Sequence, residues 1–329
     1  MKIITIEEHL GGVPVSAHLN KYIAKHAPYT MLAHGKDLPY SPDERLWDLD
    51  GYRISDMDKN GITMQILSAP VQAQFLPAKD AGVIVADSND YIIENVKKHP
   101  DRYGAFALLP WSSPKDAVFE IERIKKLGFH GIILAGRAGE EVFLDDKRFM
   151  PILEAAEHLS MPIYMHPAAP IRDVQKFYYG GLSPVVSARL SLHGWGWHNE
   201  AGVQIIRTIL SGTFEQFPKL QLIAGHWGEM VPFFLSRIDQ SVPPKATKLS
   251  KTVTEYFRQN VYVTPSGIFD YPQLKFCMEV LGSDRIIHSV DCPFIENEGA
   301  KSFIEDAPIS EEEKENIAFR NAEKLFLLK

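Results

Sequence analysis

Cysteines, long apolar runs and basic runs are scarce or missing in this sequence of 329 residues, and each absence excludes a class of protein. The two cysteines, Cys277 and Cys292, are too few for a disulfide framework and are typical of a reducing compartment. No apolar run approaches the length of a membrane-spanning helix. The opening MKIITIEEHL is too short and too polar for a signal peptide. We therefore expect a cytoplasmic protein.

Charge and composition narrow the class further. The formal net charge is -7 and no basic or low-complexity segment stands out, so nothing in the charge predicts binding to nucleic acid. With 45% hydrophobic and 23% charged residues, the chain is typical of a globular protein with a large core. Length alone leaves one large domain or two smaller ones open.

Eight short apolar runs, rich in β-branched residues, alternate with amphipathic stretches at helical spacing. In order they are KIITIEEH, GITMQILSAP, RYGAFALLP, HGIILAG, MPIYMHP, LQLIAGH, NVYVTPSG and RIIHSVDCPF. Alternating strands and helices predict an α/β fold with a parallel sheet, and eight strands are the number that closes a barrel. We predict a single (β/α)8 TIM-barrel-like domain over residues 1–329.

Helix signals and two irregular regions complete this prediction. Ser113 and Pro114 are a cap and first-turn pair for one helix, and Gly128 is its predicted stop. Residues 11–50 have weak periodicity, and we interpret them as an insertion or lid over one barrel mouth. Residues 168–198 form a long connection, rich in aromatic residues and glycine, for which we expect a functional role.

Ionisable side chains end four of the eight runs. Glu7 and His9 end the first run, His166 the fifth, His226 the sixth and Asp291 the eighth. Alternation along a strand places Glu7 and His9 on one face. A single histidine at a strand end is more often structural than a ligand, but convergence from four strands favours a site at the carboxyl end of the barrel. Carboxylates mixed with neutral imidazoles suit a divalent cation.

The same motifs identify a resemblance. Glu-x-His after strand one, His-Pro after strand five, GHWGE after strand six and Asp-x-Pro-Phe after strand eight resemble the amidohydrolase-2 family. Nearly the whole chain, including DMDKNGITMQILS, HPDRYGAFALLP and LGFHGIIL, is similar to the family's nonoxidative decarboxylases of aromatic acids, such as those acting on γ-resorcylate and hydroxybenzoates. Members with hydrolytic activity carry His-x-His after strand one, so Glu7 favours the decarboxylase branch.

The resemblance implies a metal-dependent amidohydrolase fold with defined site residues. One divalent metal ion, zinc or manganese, would be bound by the family's four ligand positions, which are Glu7, His9, His166 and Asp291. His226 would be an active-site histidine beside the metal, with Glu229 as its hydrogen-bond partner. The resemblance also implies a homodimer or homotetramer.

Residues with less certain roles fall into two groups. Arg237 of the SRID motif, Trp195 and Ser266 are candidates to bind substrate, although a structural ion pair between Arg237 and Asp239 is an open alternative. The remaining candidates are interpreted as structural: Glu8 as a carboxylate facing the helices, His288 as a packing residue, Cys292 as an unreactive thiol, and His193 and His198 as non-ligands in a loop.

The predicted reaction is the metal-dependent, nonoxidative decarboxylation of an aromatic acid bearing an ortho hydroxyl group. Asp291 would protonate the ring carbon that bears the carboxylate. Hydrolysis of an amide or lactone, or hydration, by the same residues is an alternative, because one fold supports different reactions. A barrel that binds a metal or ligand without catalysis is a third, which the complete ligand set disfavours.

Overall fold

The parallel sheet runs through the chain in sequence order. The computed structural model describes residues 1–26, 44–139 and 142–328. Seven strands pair in the order β1 to β7, each parallel to the next. They are β1 (Ile4–His9), β2 (Met64–Ser68), β3 (Tyr103–Ala107), β4 (Gly131–Ala135), β5 (Ile163–His166), β6 (Leu222–Ala224) and β7 (Val261–Val263).

The eighth predicted run closes the sheet without forming a full strand. Single parallel bridges join Ser289 to Ile6 of β1 and Ile286 to Val263 of β7. The amide of Ile6 donates to the carbonyl of His288 over 3.1 Å, and that of Ile287 donates to the carbonyl of Val263 over 3.0 Å. We call residues 285–292 the closing segment. The predicted barrel-like α/β fold is confirmed, with this segment in the place of an eighth strand.

Helices follow the strands and cover the outside of the sheet. They are α1 (Pro14–His26), α2 (Tyr52–Lys59), α3 (Ala78–Val96), α4 (Pro114–Leu127), α5 (Met150–His158), α6 (Arg172–Tyr179), α7 (Pro184–Ser191), α8 (Gly196–Leu210), α9 (Thr213–Gln216), α10 (Val231–Ser241), α11 (Pro244–Thr247), α12 (Val253–Asn260), α13 (Tyr271–Leu281), α14 (Ala300–Glu305), α15 (Glu311–Glu315) and α16 (Asn321–Phe326). No helix in the described ranges is long and apolar enough to cross a membrane.

Local sequence explains where helix α4 begins and ends. Pro114 occupies the first turn, where its missing amide proton costs no hydrogen bond. Ser113 donates its hydroxyl to Asp116 over 2.7 Å rather than capping a backbone amide. Gly128 ends the helix in a left-handed conformation with φ of 99°, which glycine adopts without a Cβ penalty. Both boundaries agree with the sequence prediction.

The core lies inside the barrel and between its strands and helices. Strands β3, β4 and β5 are buried along their whole length, because helices cover the outer face of the sheet. Their near-continuous apolar sequences follow from burial on both faces. This interior fixes the level at which the strand ends emerge.

The described parts of the two irregular regions lie near the carboxyl ends of the strands. Residues 11–50 contain α1 and the 3-10 turn Glu44–Leu46, and the part of the predicted lid between residues 27 and 43 lies outside the described residues. Residues 168–198 contain α6, α7 and the beginning of α8. Both regions contribute side chains to one cavity above the barrel.

Candidate metal centre and catalytic site

A bulge in β1 brings Glu7 into the site. The register with β2 runs Ile6 opposite Ile66 and then Glu8 opposite Leu67, so Glu7 is an additional residue in its strand. Its φ of 67° is unusual for a residue with a side chain. Glu7 and His9 face the same site, whereas Glu8 accepts hydrogen bonds from the backbone amides of Val290 and Cys292, over 3.0 and 3.1 Å.

Four predicted ligands converge from three parts of the chain. Each of Glu7, His9, His166 and Asp291 offers one ligand atom, and these atoms lie within 4.8 Å of one another. His9 Nε2 is 2.6 Å from Asp291 Oδ1, and His166 Nε2 is 3.9 Å from Glu7 Oε1. Strands β1 and β5 and the closing segment therefore form one cluster.

Hydrogen bonds on the far side of the rings orient both imidazoles. His166 donates from Nδ1 to the carbonyl of Pro167 over 2.7 Å, which leaves the lone pair of Nε2 directed at the cluster. His9 Nδ1 lies 3.4 Å from the hydroxyl of Ser68. Such second contacts are the usual means by which proteins fix a histidine ligand.

Burial shifts all four pKa values toward the uncharged forms. It raises the pKa of Glu7 to about 8 and that of Asp291 to about 7. It lowers the pKa of His9 to about 3, and that of His166 well below its ordinary value. The two histidines are therefore neutral, which is the form that binds a metal. The raised pKa values of the two carboxyl groups show that the protein itself places too little positive charge beside them to stabilise both carboxylates.

An unsatisfied oxygen tests whether a cation fits this cluster. Glu7 is fully buried, and its Oε1 has no hydrogen-bond partner among the described residues, while Oε2 accepts a hydrogen bond from the Ser266 hydroxyl. A buried carboxylate oxygen without a partner is costly. A divalent cation between two carboxylates and two neutral imidazoles would satisfy it, so these four residues fit a metal ion.

A sharp turn after β6 presents His226 beside the cluster. His226, Trp227 and Gly228 have φ of 48°, 59° and 79°, so Gly225–Glu229 is not a regular helix despite its compact shape. His226 Nε2 lies 4.0 Å from Glu7 Oε1. The backbone amide of His226 donates to Ser266 Oγ over 2.8 Å, so Ser266 connects this turn to Glu7.

Glu229 anchors the ring of His226 from below. Its Oε1 lies 2.9 Å from His226 Nδ1, and its Oε2 lies 2.8 Å from His198 Nδ1. Burial lowers the pKa of His226, but the carboxylates of Glu229 and Glu7 outweigh burial and raise it to about 10. Conversely, burial raises the pKa of Glu229, while His226 and His198 outweigh burial and lower it. The contact between the two side chains therefore favours the charged form of each.

A cavity of about 490 Å³ opens above these residues. His9, His166, His226 and Asp291 lie at its polar end. Its other walls are mostly apolar and include Leu19, Pro70, Val71, Ala168, Ala169, Leu192, Trp197, Ile268, Phe294 and Ile295. A polar, ionisable end and apolar walls suit a flat organic acid.

Three predicted substrate contacts have different positions. Ser266 lines the cavity, but its hydroxyl is already bonded to Glu7 and to the amide of His226. Arg237 is exposed on α10 and does not line the cavity, because α10 lies outside the barrel. Trp195 is 46% exposed and does not line the cavity, whereas its neighbour Trp197 does.

Two further residues complete this account of the predicted site. His288 is buried, and its Nε2 lies 2.9 Å from the carbonyl oxygen of Ala300, as expected for a packing residue. His198 was set aside as a loop residue, yet it lines the cavity and contacts Glu229. His198 belongs to the first turn of helix α8, and not to the loop before it. The amphipathic sequence that follows His198 was the signal that could have placed it on a helix.

Known proteins are similar to this chain over most of its length. The family model described as Amidohydrolase matches residues 17–328. The chain is 34% identical over 297 residues to a γ-resorcylate decarboxylase from Polaromonas sp., which covers 86% of this chain and 89% of that protein.

Two solved structures have the same fold over nearly the full length. One is the 5-carboxyvanillate decarboxylase LigW from Sphingomonas paucimobilis, with a TM-score of 0.89, 30% identity and coverage of 100% of this chain and 99% of that one. The other is a dihydroxybenzoic acid decarboxylase from Polaromonas sp. with bound manganese and the inhibitor 2-nitroresorcinol, with a TM-score of 0.84, 29% identity and coverage of 99% and 97%. The predicted resemblance is confirmed, and the chain belongs to the amidohydrolase family.

Proposed function

We propose that this chain is a metal-dependent, nonoxidative decarboxylase of a hydroxylated aromatic carboxylic acid. The observation on which the proposal rests is the cluster of Glu7, His9, His166 and Asp291 with its unpartnered Glu7 oxygen, at the end of a cavity with apolar walls. The relatives at about this level of identity are decarboxylases of aromatic acids, which supports the same reaction class here.

Glu7, His9, His166 and Asp291 would hold one divalent cation, with manganese favoured by the relative that contains it and zinc an alternative. When bound, such an ion supplies positive charge that attracts and fixes the oxygens of an anionic substrate. Ser266 holds Glu7 in its orientation, and Pro167 holds His166. These residues therefore organise the polar end of the cavity before substrate arrives.

Asp291 is positioned to deliver the proton. Burial raises its pKa to about 7, and an incoming anionic substrate favours the protonated form, whereas the bound cation would favour the charged form. The proton passes from Asp291 to the ring carbon that bears the carboxylate. The bond from that carbon to the carboxyl group then breaks, its electron pair restores the aromatic ring, and carbon dioxide leaves.

His226 and Glu229 act on the substrate hydroxyl in this proposal. The imidazolium of His226 faces the cavity and can donate a hydrogen bond to a phenolic oxygen. Glu229 is buried beneath it and keeps the ring from rotating. An ortho hydroxyl beside the carboxylate would therefore meet His226 while the carboxylate meets the four-residue cluster.

The cavity has room for a substituted ring. A protein cavity of about 150 Å³ is large enough to hold benzene, and this cavity measures about 490 Å³. Ser16 and Leu19 of α1 belong to its wall. Their position supports the interpretation of residues 11–50 as a lid in a single-domain chain.

We further propose that the chain assembles as a homodimer or homotetramer. Phe177 and Tyr178 of α6 are 74% and 72% exposed, and Phe233 of α10 is 71% exposed. Large exposed apolar side chains on helices are typical of protein interfaces. Sedimentation or light scattering of the purified protein would measure the mass of the assembly.

The proposed function is tested by measuring metal content and carbon dioxide release in the same sample. We expect about one metal ion per chain and gas release from at least one member of a panel of hydroxybenzoates. Release should stop with a chelator and return with added metal. Bound metal without gas from any acid, together with cleavage of an amide or lactone, would instead assign a hydrolase.

Two adjacent carboxylates provide a matched control for the metal site. Glu7→Gln should lose most of the bound metal, because an amide replaces a charged ligand. Glu8→Gln should lose less metal than Glu7→Gln, because Glu8 does not face the cluster and the variant keeps one acceptor oxygen for the backbone amides of Val290 and Cys292 that flank Asp291. Equal metal content in both variants would remove Glu7 from the ligand set.

A further inference from the structure

We propose that His198 is a positioning residue for His226 and that it acts through Glu229; this inference rests on the proposed function of the site. His198 stands in the first turn of α8 and lines the cavity, yet it is not one of the four residues of the metal cluster. Its ring lies 4.3 Å from the ring of His226, at an angle of 63°.

Glu229 is shared symmetrically by the two histidines. Its Oε1 accepts from His226 Nδ1 over 2.9 Å and its Oε2 accepts from His198 Nδ1 over 2.8 Å. The carboxylate is buried, with 2% of the residue exposed, so water cannot substitute for a missing donor. With one donor on each oxygen, the carboxylate plane cannot turn without breaking a hydrogen bond.

The other side of the His198 ring, at Nε2, has two possible partners. Trp197 Nε1 lies 2.9 Å from His198 Nε2, and an indole N–H can only donate, so this contact requires an unprotonated Nε2 and leaves the proton on Nδ1. The carbonyl of His193, 3.0 Å from the same nitrogen, pairs instead with a protonated Nε2. Because a carboxylate can only accept, Nδ1 is the donor to Glu229 whichever partner Nε2 has.

Loss of His198 would therefore reach the substrate through two residues. Oε2 of Glu229 would be buried without a donor, which costs free energy unless the carboxylate turns or binds a proton. Either response weakens the bond that holds His226 Nδ1, and His226 Nε2 no longer faces the cavity at a fixed angle. Because the metal cluster is untouched, substrate should still bind while turnover slows.

Three variants separate hydrogen bonding from shape. In His198→Phe the ring remains and the donor is lost. In His198→Asn the amide nitrogen takes the place of Nδ1 and can still donate to Glu229, whereas in His198→Gln it takes the place of Nε2 and points toward Trp197. We expect His198→Phe and His198→Gln to lower kcat by about 10-fold to 100-fold with KM changed less than about twofold, which is the range for supporting contacts.

His198→Asn should recover kcat to within about threefold of the unchanged protein. Metal content should stay the same in all three variants, and thermal unfolding checks that each is folded. Turnover of His198→Phe equal to that of the unchanged protein, or no difference between the Asn and Gln variants, would overturn the proposal. A second metal equivalent that is lost in His198→Phe would also overturn it, because Nδ1 would then be a ligand.

A spectroscopic readout tests the contact independently of turnover. In zinc-loaded protein with 15N-labelled histidine, we expect His226 to show a protonated Nδ1, and its signals to move in His198→Phe but not in His198→Asn. If the unchanged protein releases no gas from any acid, the proposed function fails while this measurement still decides the hydrogen-bond network. Unmoved His226 signals in His198→Phe would overturn the inference alone.

Discussion

The carboxyl ends of the strands and the body of the barrel differ in backbone conformation. Among the described residues, ten non-glycine residues have positive φ, and seven of them are Glu7, His226, Trp227, Glu229, Met230, Ser266 and Asp291, in or after β1, β6, β7 and the closing segment. The strand interiors of β2 to β5 contain none of them, and they are almost wholly buried and regular. Strained backbone of this kind persists only where the surrounding structure enforces it.

This difference indicates a division of labour within one chain. The body buries apolar side chains and supplies the free energy of folding. At the carboxyl ends of the strands, part of that free energy holds left-handed residues and buried ionisable groups in place. This brings Glu7 and Asp291 into one cluster, with His226 beside Glu7. Substitutions at the two ends should therefore affect different properties.

The largest effect on turnover is expected at Asp291. Asp291→Asn removes the proton donor but keeps a side chain that tolerates positive φ, so the backbone should be preserved. Because Asp291 is also one of the four proposed metal ligands, rates are compared at equal metal content. We expect kcat to fall by about 10²-fold to 10⁴-fold, the range for loss of a general acid, with little change in the thermal unfolding midpoint. Turnover within a factor of about two of the unchanged protein would remove Asp291 from the mechanism.

A core substitution should show the reverse pattern. Ile132 on β4 is fully buried, and Ile132→Ala leaves a cavity that should lower the free energy of unfolding by about 2–5 kcal/mol. Metal content and kcat of the folded protein at low temperature should be unchanged. If metal content fell in proportion to the free energy of unfolding, metal binding at the strand ends would depend on packing in the body of the barrel, and the proposed division would be wrong.

The smallest effect on stability is expected for two serines that have nearly the same positive φ. Ser160 has φ of 50° beyond the end of α5, and Ser266 has φ of 47° after β7. Ser160→Gly should raise the free energy of unfolding by up to about 1 kcal/mol without changing activity, because it relieves a left-handed residue.

Ser266→Gly relieves the same strain but removes the hydroxyl that donates to Glu7 and accepts from the amide of His226. Activity should fall even if stability does not. Denaturant unfolding and initial rates on the same preparations measure both properties. Equal activity in Ser160→Gly and Ser266→Gly would show that the hydroxyl of Ser266 is not needed for activity.

Much of the fold followed from the sequence because it depends on local patterns. Strands that are buried on both faces appear in the sequence as near-continuous apolar runs, and eight such runs occur. Pro114 and Gly128 mark the two ends of one helix. The convergence of Glu7, His9, His166 and Asp291 was predictable because carboxyl ends of parallel strands meet at one end of a barrel.

The remaining features depend on contacts between distant segments. Alternation predicted that Glu7 and His9 share a face, but the bulge that produces the observed register depends on pairing with β2. His198 was missed because only the packing of α8 against the Gly225–Glu229 turn brings it to Glu229. Arg237 matched a motif, but motif matching does not reveal that its helix faces outward.

The closing segment has a consequence for how the protein is made. Asp291 lies 282 positions after His9. The closing segment meets the first strand through one bridge, between Ser289 and Ile6, and through hydrogen bonds from the amides of Ile6 and His9 to the carbonyls of His288 and Cys292. Contacts between residues so far apart in sequence form slowly, because a long loop must close first. A chain emerging from the ribosome would present Glu7, His9 and His166 long before Asp291, so all four proposed ligands would be present only after residue 291 has been made. A metal bound at that stage would link β1, through Glu7 and His9, to the closing segment, through Asp291, and so stabilise the closed barrel.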